Sequence, residues 1–224
     1  MSRTSSVVKA TTWKIFAAEL AGTFLIVVFA TGSVVINARA EGAYGLAFEA
    51  AAPAIAVALM VYAFGKVSMA HFNPAVTAAF YVTGHISRAQ LPVYFAAEIT
   101  GALLASAFVA FFIGTEADLG ANAPNHSFPL ALIFAVEVLA TALLMAVIYA
   151  VVRTRGLKGF SGVTIGGIIG LDIFFLSFIS GASMNPARAL APALLSGALG
   201  NLWLYWSATF VGSMAVAFIA RKKA

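Results

Sequence analysis

Six apolar runs, each about 20 residues long and parted by short polar gaps, constrain this chain more than any other feature. They lie at about 13–36, 46–66, 89–113, 128–152, 160–180 and 201–220. A helix of that length matches the hydrocarbon thickness of a bilayer. Lipid offers no hydrogen bonds, so each run must pair its own backbone groups, as a helix does. Composition excludes the soluble alternative: 62% of residues are hydrophobic and 9% charged, where a soluble domain has about half and about a quarter. The reading is an all-α membrane protein with six crossings.

The net charge of +5 would suit a nucleic-acid partner, but its distribution excludes one. Arg3, Lys9 and Lys14 stand near the N-terminus and Arg221, Lys222 and Lys223 near the C-terminus. Lys66, Arg88, Arg153, Arg155 and Lys158 fall in the gaps after runs two and four. The gap Gly114–Ser127 holds Glu116 and Asp118 but no Lys or Arg, and the gap after run one has only Arg39. This alternation is the positive-inside pattern, with both termini cytoplasmic. The first run matches the others in length and lacks a small-residue cleavage site, so it reads as a span rather than a signal peptide. There is no cysteine, which removes disulfides, thiol chemistry and sensitivity to thiol-directed mercurials.

Two apolar pieces, 67–84 and 181–196, are too short to cross and read as re-entrant half-helices. The first contains HFNPAVTAA (His71–Ala79) and the second SMNPARALA (Ser183–Ala191). Their Asn-Pro-Ala cores, at 73–75 and 185–187, are 112 positions apart in a chain of 224 residues. AELAGT around Glu19 is echoed by VEVLAT around Glu137, and Tyr94 and Gly101 by Tyr205 and Gly212. One channel-like unit spanning 1–224 therefore contains two repeats, about 10–115 and 128–220. An odd number of crossings separates the repeats, so they are inverted in the membrane.

A lone Asn-Pro starts a helix and need do nothing more: Asn is a good N-cap and Pro suits the first helical position. Two copies, each opening a half-length helix, define a different object. Half-helices entering from opposite sides aim the positive ends of their dipoles at the midplane. Asn73 and Asn185 add amide donors there, Pro74 and Pro186 fix the first turns, and Ala75 and Ala187 leave room for close approach. Such a site accepts neutral molecules through their oxygens and repels cations. Arg188, about one turn after Asn185, adds a fixed positive group facing a cavity.

These motifs and the span pattern resemble the aquaporins, the major intrinsic protein family, over nearly the whole chain. The resemblance implies a right-handed bundle of six helices and two half-helices, assembled as homotetramers in the plasma membrane. It implies that Asn73 and Asn185 are the central donors, that Glu19 and Glu137 brace the re-entrant loops, and that the backbone at His71 lines the pore. It also implies a four-residue filter at Arg188, Ala182, Ile173 and Pro53. Strict water channels usually carry His at the position of Ile173 and an aromatic at that of Pro53. Either Pro53 forms that wall, or it kinks the helix and Phe48 or a neighbouring alanine takes its place. Glycerol facilitators usually have Asp where Ala189 stands, and Lys66 and Met69 replace a usual His and Gly. ISGASMNPAR is similar to archaeal aquaporins and to the nodulin-26-like branch.

The expected function is a passive channel for water and other small neutral solutes, with no cofactor and no metal. The alternative is a wider facilitator for glycerol, hydrogen peroxide, ammonia or neutral metalloid hydroxides. A coupled transporter would instead use Glu19, Glu98, Glu137 and Asp172 as proton relays. The run Gly159–Gly162, GFSG, matches an intramembrane serine nucleophile, but His71, His85 and His126 all lie outside the six runs. Without a base in reach, Ser161 is not a nucleophile, and the glycines are expected to serve packing.

Overall fold

The computed structural model describes residues 11–222. Arg3, Lys9 and Lys223 lie outside the described residues, as do the side chains of Arg155, Lys158 and Lys222. The described chain contains helices α1 (Thr12–Arg39), α2 (Gly45–Ser68), α3 (Pro74–Val82), α4 (Leu91–Phe112), α5 (Glu116–Gly120), α6 (Leu130–Arg153), α7 (Ser161–Ser180), α8 (Pro186–Ser196) and α9 (Leu202–Lys222). A 3₁₀ turn, Arg155–Phe160, links α6 to α7. Helices α1, α2, α4, α6, α7 and α9 are long and apolar enough to cross a membrane. Each matches one of the six apolar runs. Helices α3 and α8 are the half-length pieces, both shorter than the apolar segments that contain them because an irregular loop precedes each.

The packing repeats with the sequence. Helix α1 packs on α4 and α2, α6 packs on α9 and α7, and α2 meets α7. Each half-helix lies against the last crossing helix of the other half, α3 on α9 and α8 on α4. Two echoed glycines permit the closest crossings. A Cβ on Gly101 would overlap the carbonyl oxygen of Leu20, and one on Gly212 that of Val138. Small residues at such crossings let helix backbones touch, which is how helices associate without a hydrophobic drive between them.

The GFSG run is absorbed the same way. Gly162 packs against the carbonyl of Ala58, and Tyr62 donates to the carbonyl of Gly159 at 3.2 Å. Helix α2 passes Pro53 without interruption. Its start is held by Asn37, whose Oδ1 accepts from the N–H groups of Tyr44 and Gly45, both at 3.0 Å, while its Nδ2 donates to Glu49 at 2.7 Å.

The connection between the halves is anchored. Arg39, in the last turn of α1, donates to Glu116 at 2.9 Å. The inner residues of α5, Ala117, Asp118 and Leu119, are left-handed, with φ of 51°, 50° and 60°. That backbone costs roughly 1–2 kcal/mol per residue, and tertiary contacts hold it: Leu119 is buried with Val35 and Val109. Gly120 lies so close to the Thr31 backbone that no side chain would fit.

Candidate functional site

Asn73 and Asn185 have extended backbones, φ −160° and −144°, and cap the half-helices that Pro74 and Pro186 begin. Asn73 Oδ1 accepts from the N–H of Ala75 at 2.9 Å. Asn185 Oδ1 accepts from the N–H groups of Ala187 at 3.0 Å and Arg188 at 3.4 Å. Each cap leaves an amide NH₂ to place, and the two cross over. Asn73 Nδ2 donates to the carbonyl of Met184, and Asn185 Nδ2 to that of Phe72, both at 2.8 Å. Each asparagine thus holds the opposite loop by the carbonyl just before the opposite asparagine. One N–H per amide remains for a guest. The half-helix ends are joined by these amides. Ala187 sits among Val27, Ala102 and Ala105, which seats α8 against α1 and α4.

The loops before the two asparagines share one backbone. Positive φ occurs at Met69, Ala70 and Phe72 (68°, 53°, 51°) and, 112 positions later, at Gly181, Ala182 and Met184 (86°, 43°, 54°). Their supports repeat too. Ser68 Oγ accepts from the N–H of Ala70, and Ser180 Oγ from that of Ala182. Tyr94 donates to the carbonyl of Ser68 at 2.6 Å, and Tyr205 to that of Ser180 at 2.7 Å. Glu19 accepts from the Ser68 hydroxyl and from the N–H groups of His71 and Phe72. Glu137 takes the N–H of Met184 at 2.6 Å, the counterpart of the Phe72 N–H that Glu19 holds. A buried carboxylate is tolerable where such donors converge on it.

His71 is fixed from behind. Thr77 donates to Glu98 at 2.5 Å, so it accepts from His71 Nδ1, 2.8 Å away. The ring stacks on Tyr94, centroids 4.4 Å apart. This tautomer leaves Nε2 as an acceptor, buried and without a partner among the described residues.

All of this surrounds one cavity of about 70 Å³. Its polar lining is His71, Asn73, Ser183, Asn185 and Arg188, and the rest is apolar wall, mostly aliphatic, with Phe72 and Met184 beside Ile26, Val57, Leu144 and Ile169. Pro53, Ile173, Ala182 and Arg188 line it together. Phe48 does not, and packs on Tyr44 at 5.1 Å. Among the described residues the one ion pair is Arg39–Glu116, so Arg188 has no carboxylate in direct contact, and Glu137 and Glu49 act on it only from further away. Inside this cavity a guest can exchange its water partners for side-chain hydrogen bonds only at these five residues, since the apolar side chains offer none.

The family described as Major intrinsic protein matches residues 6–220. The chain belongs to this family. It is 38% identical to aquaporin NIP1-1 of Zea mays, over 90% of this chain and 71% of that one. It is also 38% identical to the glycerol uptake facilitator protein-like 6 of Lactiplantibacillus plantarum, over 92% and 96%. The aquaglyceroporin from Plasmodium falciparum has the same fold, with a TM-score of 0.79 at 23% identity over 95% of this chain and 96% of that chain. The major intrinsic proteins are channels, and this member carries the six membrane-length helices and two half-helices expected of it.

Within this family site, several residues escaped the motif reading. Ser68 and Ser180 lie 112 positions apart, so the repeat itself could have shown them. Thr77 gave no such signal, because its position is not repeated in kind; Glu98, one of the acids a coupled transporter would use, accepts from Thr77 instead. Asn122 lies in the connection between the halves, outside both repeats.

Proposed function

We propose that the protein is a passive channel for water and other small neutral solutes in the plasma membrane, with both termini cytoplasmic and protomers assembled as homotetramers. Residues 1–224 form one channel domain of two inverted repeats. The observation that carries the reading is the cavity that gathers both Asn amides and Arg188 between apolar walls. A water passing the midplane accepts from the free N–H of Asn73 and of Asn185. Its own hydrogens then point away from the centre, and a continuous proton wire is broken there. The charge of Arg188 opposes cations at the mouth.

Pro53, Ile173, Ala182 and Arg188 are the filter in this reading. Three small or aliphatic walls favour a second substrate class, small polyols and similar neutral solutes, and the named glycerol facilitator among the relatives supports it. A coupled transporter is disfavoured because Glu19 and Glu137 are occupied by loop backbone. Proteoliposomes should shrink faster than empty vesicles under osmotic shock, with a low activation energy, and should swell in glycerol. Arg188→Val should raise glycerol permeability and proton leak. Shrinkage equal to that of empty vesicles sinks the channel, and an unchanged solute ranking in Arg188→Val sinks the filter.

A further inference from the structure

The outer mouth holds two opposite charges that do not meet. In the proposed orientation the start of α2 lies on the outer side. Glu49 stands there, about one turn before Pro53, so both side chains leave the same face of the helix. Pro53 lines the cavity together with Arg188, which places Glu49 just beyond that cavity. Its charge acts on Arg188, yet the two form no ion pair.

Each charge is tied elsewhere by a neutral amide. Glu49 Oε1 accepts from Asn37 Nδ2 at 2.7 Å. Asn37 is buried, and its Oδ1 is taken by the N–H groups of Tyr44 and Gly45, so it holds the carboxylate in one place. Arg188 Nη1 donates to Asn122 Oδ1 at 2.5 Å. Glu49 Oε2 has no hydrogen bond among the described residues. An anionic acceptor and a cationic donor therefore stay apart across a gap. The repeat interval of 112 puts Ser161 opposite Glu49, so the acid has no counterpart in the second half.

We propose that Glu49 is a docking acceptor for polyhydroxylated solutes at the outer mouth, working across the gap from Arg188. The inference rests on the channel reading above and names its solute class. Glu49 offers only lone pairs and Arg188 only protons, whereas a hydroxyl both donates and accepts. Two adjacent hydroxyls can therefore span the gap, one giving its proton to Glu49 and the other taking one from Arg188. Hydrogen bonds to charged groups are about twice as strong as neutral ones, which offsets the water that the solute leaves behind. One polyol makes several such bonds at once and so competes with water for the mouth. A cation drawn to Glu49 meets the charge of Arg188.

Purified protein in proteoliposomes tests this through osmotic water permeability and initial glycerol uptake. Glu49→Gln keeps an acceptor for Asn37 but turns an amide NH₂ toward Arg188. It should lower the glycerol-to-water permeability ratio at least threefold. Glu49→Asp keeps the anion, so its ratio should exceed that of Glu49→Gln. In wild type, sorbitol present equally on both sides should slow glycerol uptake at least twofold. The control is an equal concentration of trimethylamine N-oxide, which has no hydroxyl. Size-exclusion profiles and thermal unfolding identify variants that fail to fold, and if Glu49→Gln fails, the sorbitol competition decides. The inference is overturned by an unchanged ratio in a folded Glu49→Gln, by an equal fall of both permeabilities, by a Glu49→Asp ratio no higher than that of Glu49→Gln, or by sorbitol that does not compete. If wild type passes water but no glycerol, the inference falls and the channel stands. If it conducts neither, the channel reading itself fails.

Discussion

Replacing Asn185 by Ser and by Ala separates the two jobs its side chain performs. The Oδ1 cap serves Ala187 and Arg188, and the Nδ2 crossing serves the carbonyl of Phe72. Serine caps a helix about as well as asparagine but is too short to reach the opposite loop. Asn185→Ser should therefore lose only the crossing bond. That leaves the Phe72 carbonyl without its partner at a buried site, at a cost of about 1–3 kcal/mol. Asn185→Ala loses the cap as well, worth about 1 kcal/mol more. The same order should hold at Asn73, whose crossing partner is the Met184 carbonyl.

Both crossing bonds join the same two helix ends, so they should couple. Once one is gone the loops separate more easily, and the second contributes less. The double Asn73→Ser, Asn185→Ser protein should be destabilised by less than the sum of the singles, with a coupling of about 0.5–3 kcal/mol. Thermal unfolding of the detergent-solubilised proteins gives the ranking, and stopped-flow shrinkage of proteoliposomes gives the water permeability of each. Water flux should fall in the serine variants despite the intact cap, because a central donor is missing. The reasoning is refuted if Asn185→Ser matches wild type in both stability and flux, if Ser and Ala variants are equal, or if the double variant is strictly additive.

Two further outcomes follow from the scaffold. Tyr94→Phe and Tyr205→Phe each delete one buried hydroxyl and orphan the Ser68 or Ser180 carbonyl. Each should cost about 1–3 kcal/mol, but only Tyr205→Phe, next to the Ala182 wall, should change the glycerol-to-water ratio. His85 faces Thr83, Phe80, Tyr149 and Arg153. Burial, and then the Arg153 charge, holds its pKa below the ordinary 6.5. The unfolded chain then binds more protons in that window, so stability is full above pH 6.5 and declines as pH falls through the folded value. Melting temperatures measured from pH 7.5 downward should show this loss, and His85→Gln should reduce it.

The spans were legible because length and apolarity alone decide whether a segment can sit in lipid, and both survive in a bare sequence. The paired motif was legible because duplication repeats its residues at a fixed interval. The crossing bonds were not, because their acceptors are the backbone carbonyls of Phe72 and Met184, and any residue has a carbonyl. Arg188 could be read as a fixed charge, but its anchor could not: Asn122 is 66 positions away, in a connecting segment with no periodicity to mark it.

Comparing the halves shows where symmetry stops. Met69 adopts φ 68° where its counterpart is Gly181 at 86°. A non-glycine pays roughly 1–2 kcal/mol for that conformation, so glycine does not dictate the loop shape. The Ser, Glu and Tyr supports do, since they are the same in both halves. The cavity lining differs instead. His71 stands opposite Ser183 in the repeat, and Val76 opposite Arg188, and all four line the cavity. The duplicated parts thus build a symmetric backbone around the midplane, while the unpaired charge of Arg188 and its anchor at Asn122 occur at one end only. In the proposed channel, selection among solutes is then a property of that end, and the two asparagines, shared by both halves, would offer the same donors to the oxygen of whatever has passed it.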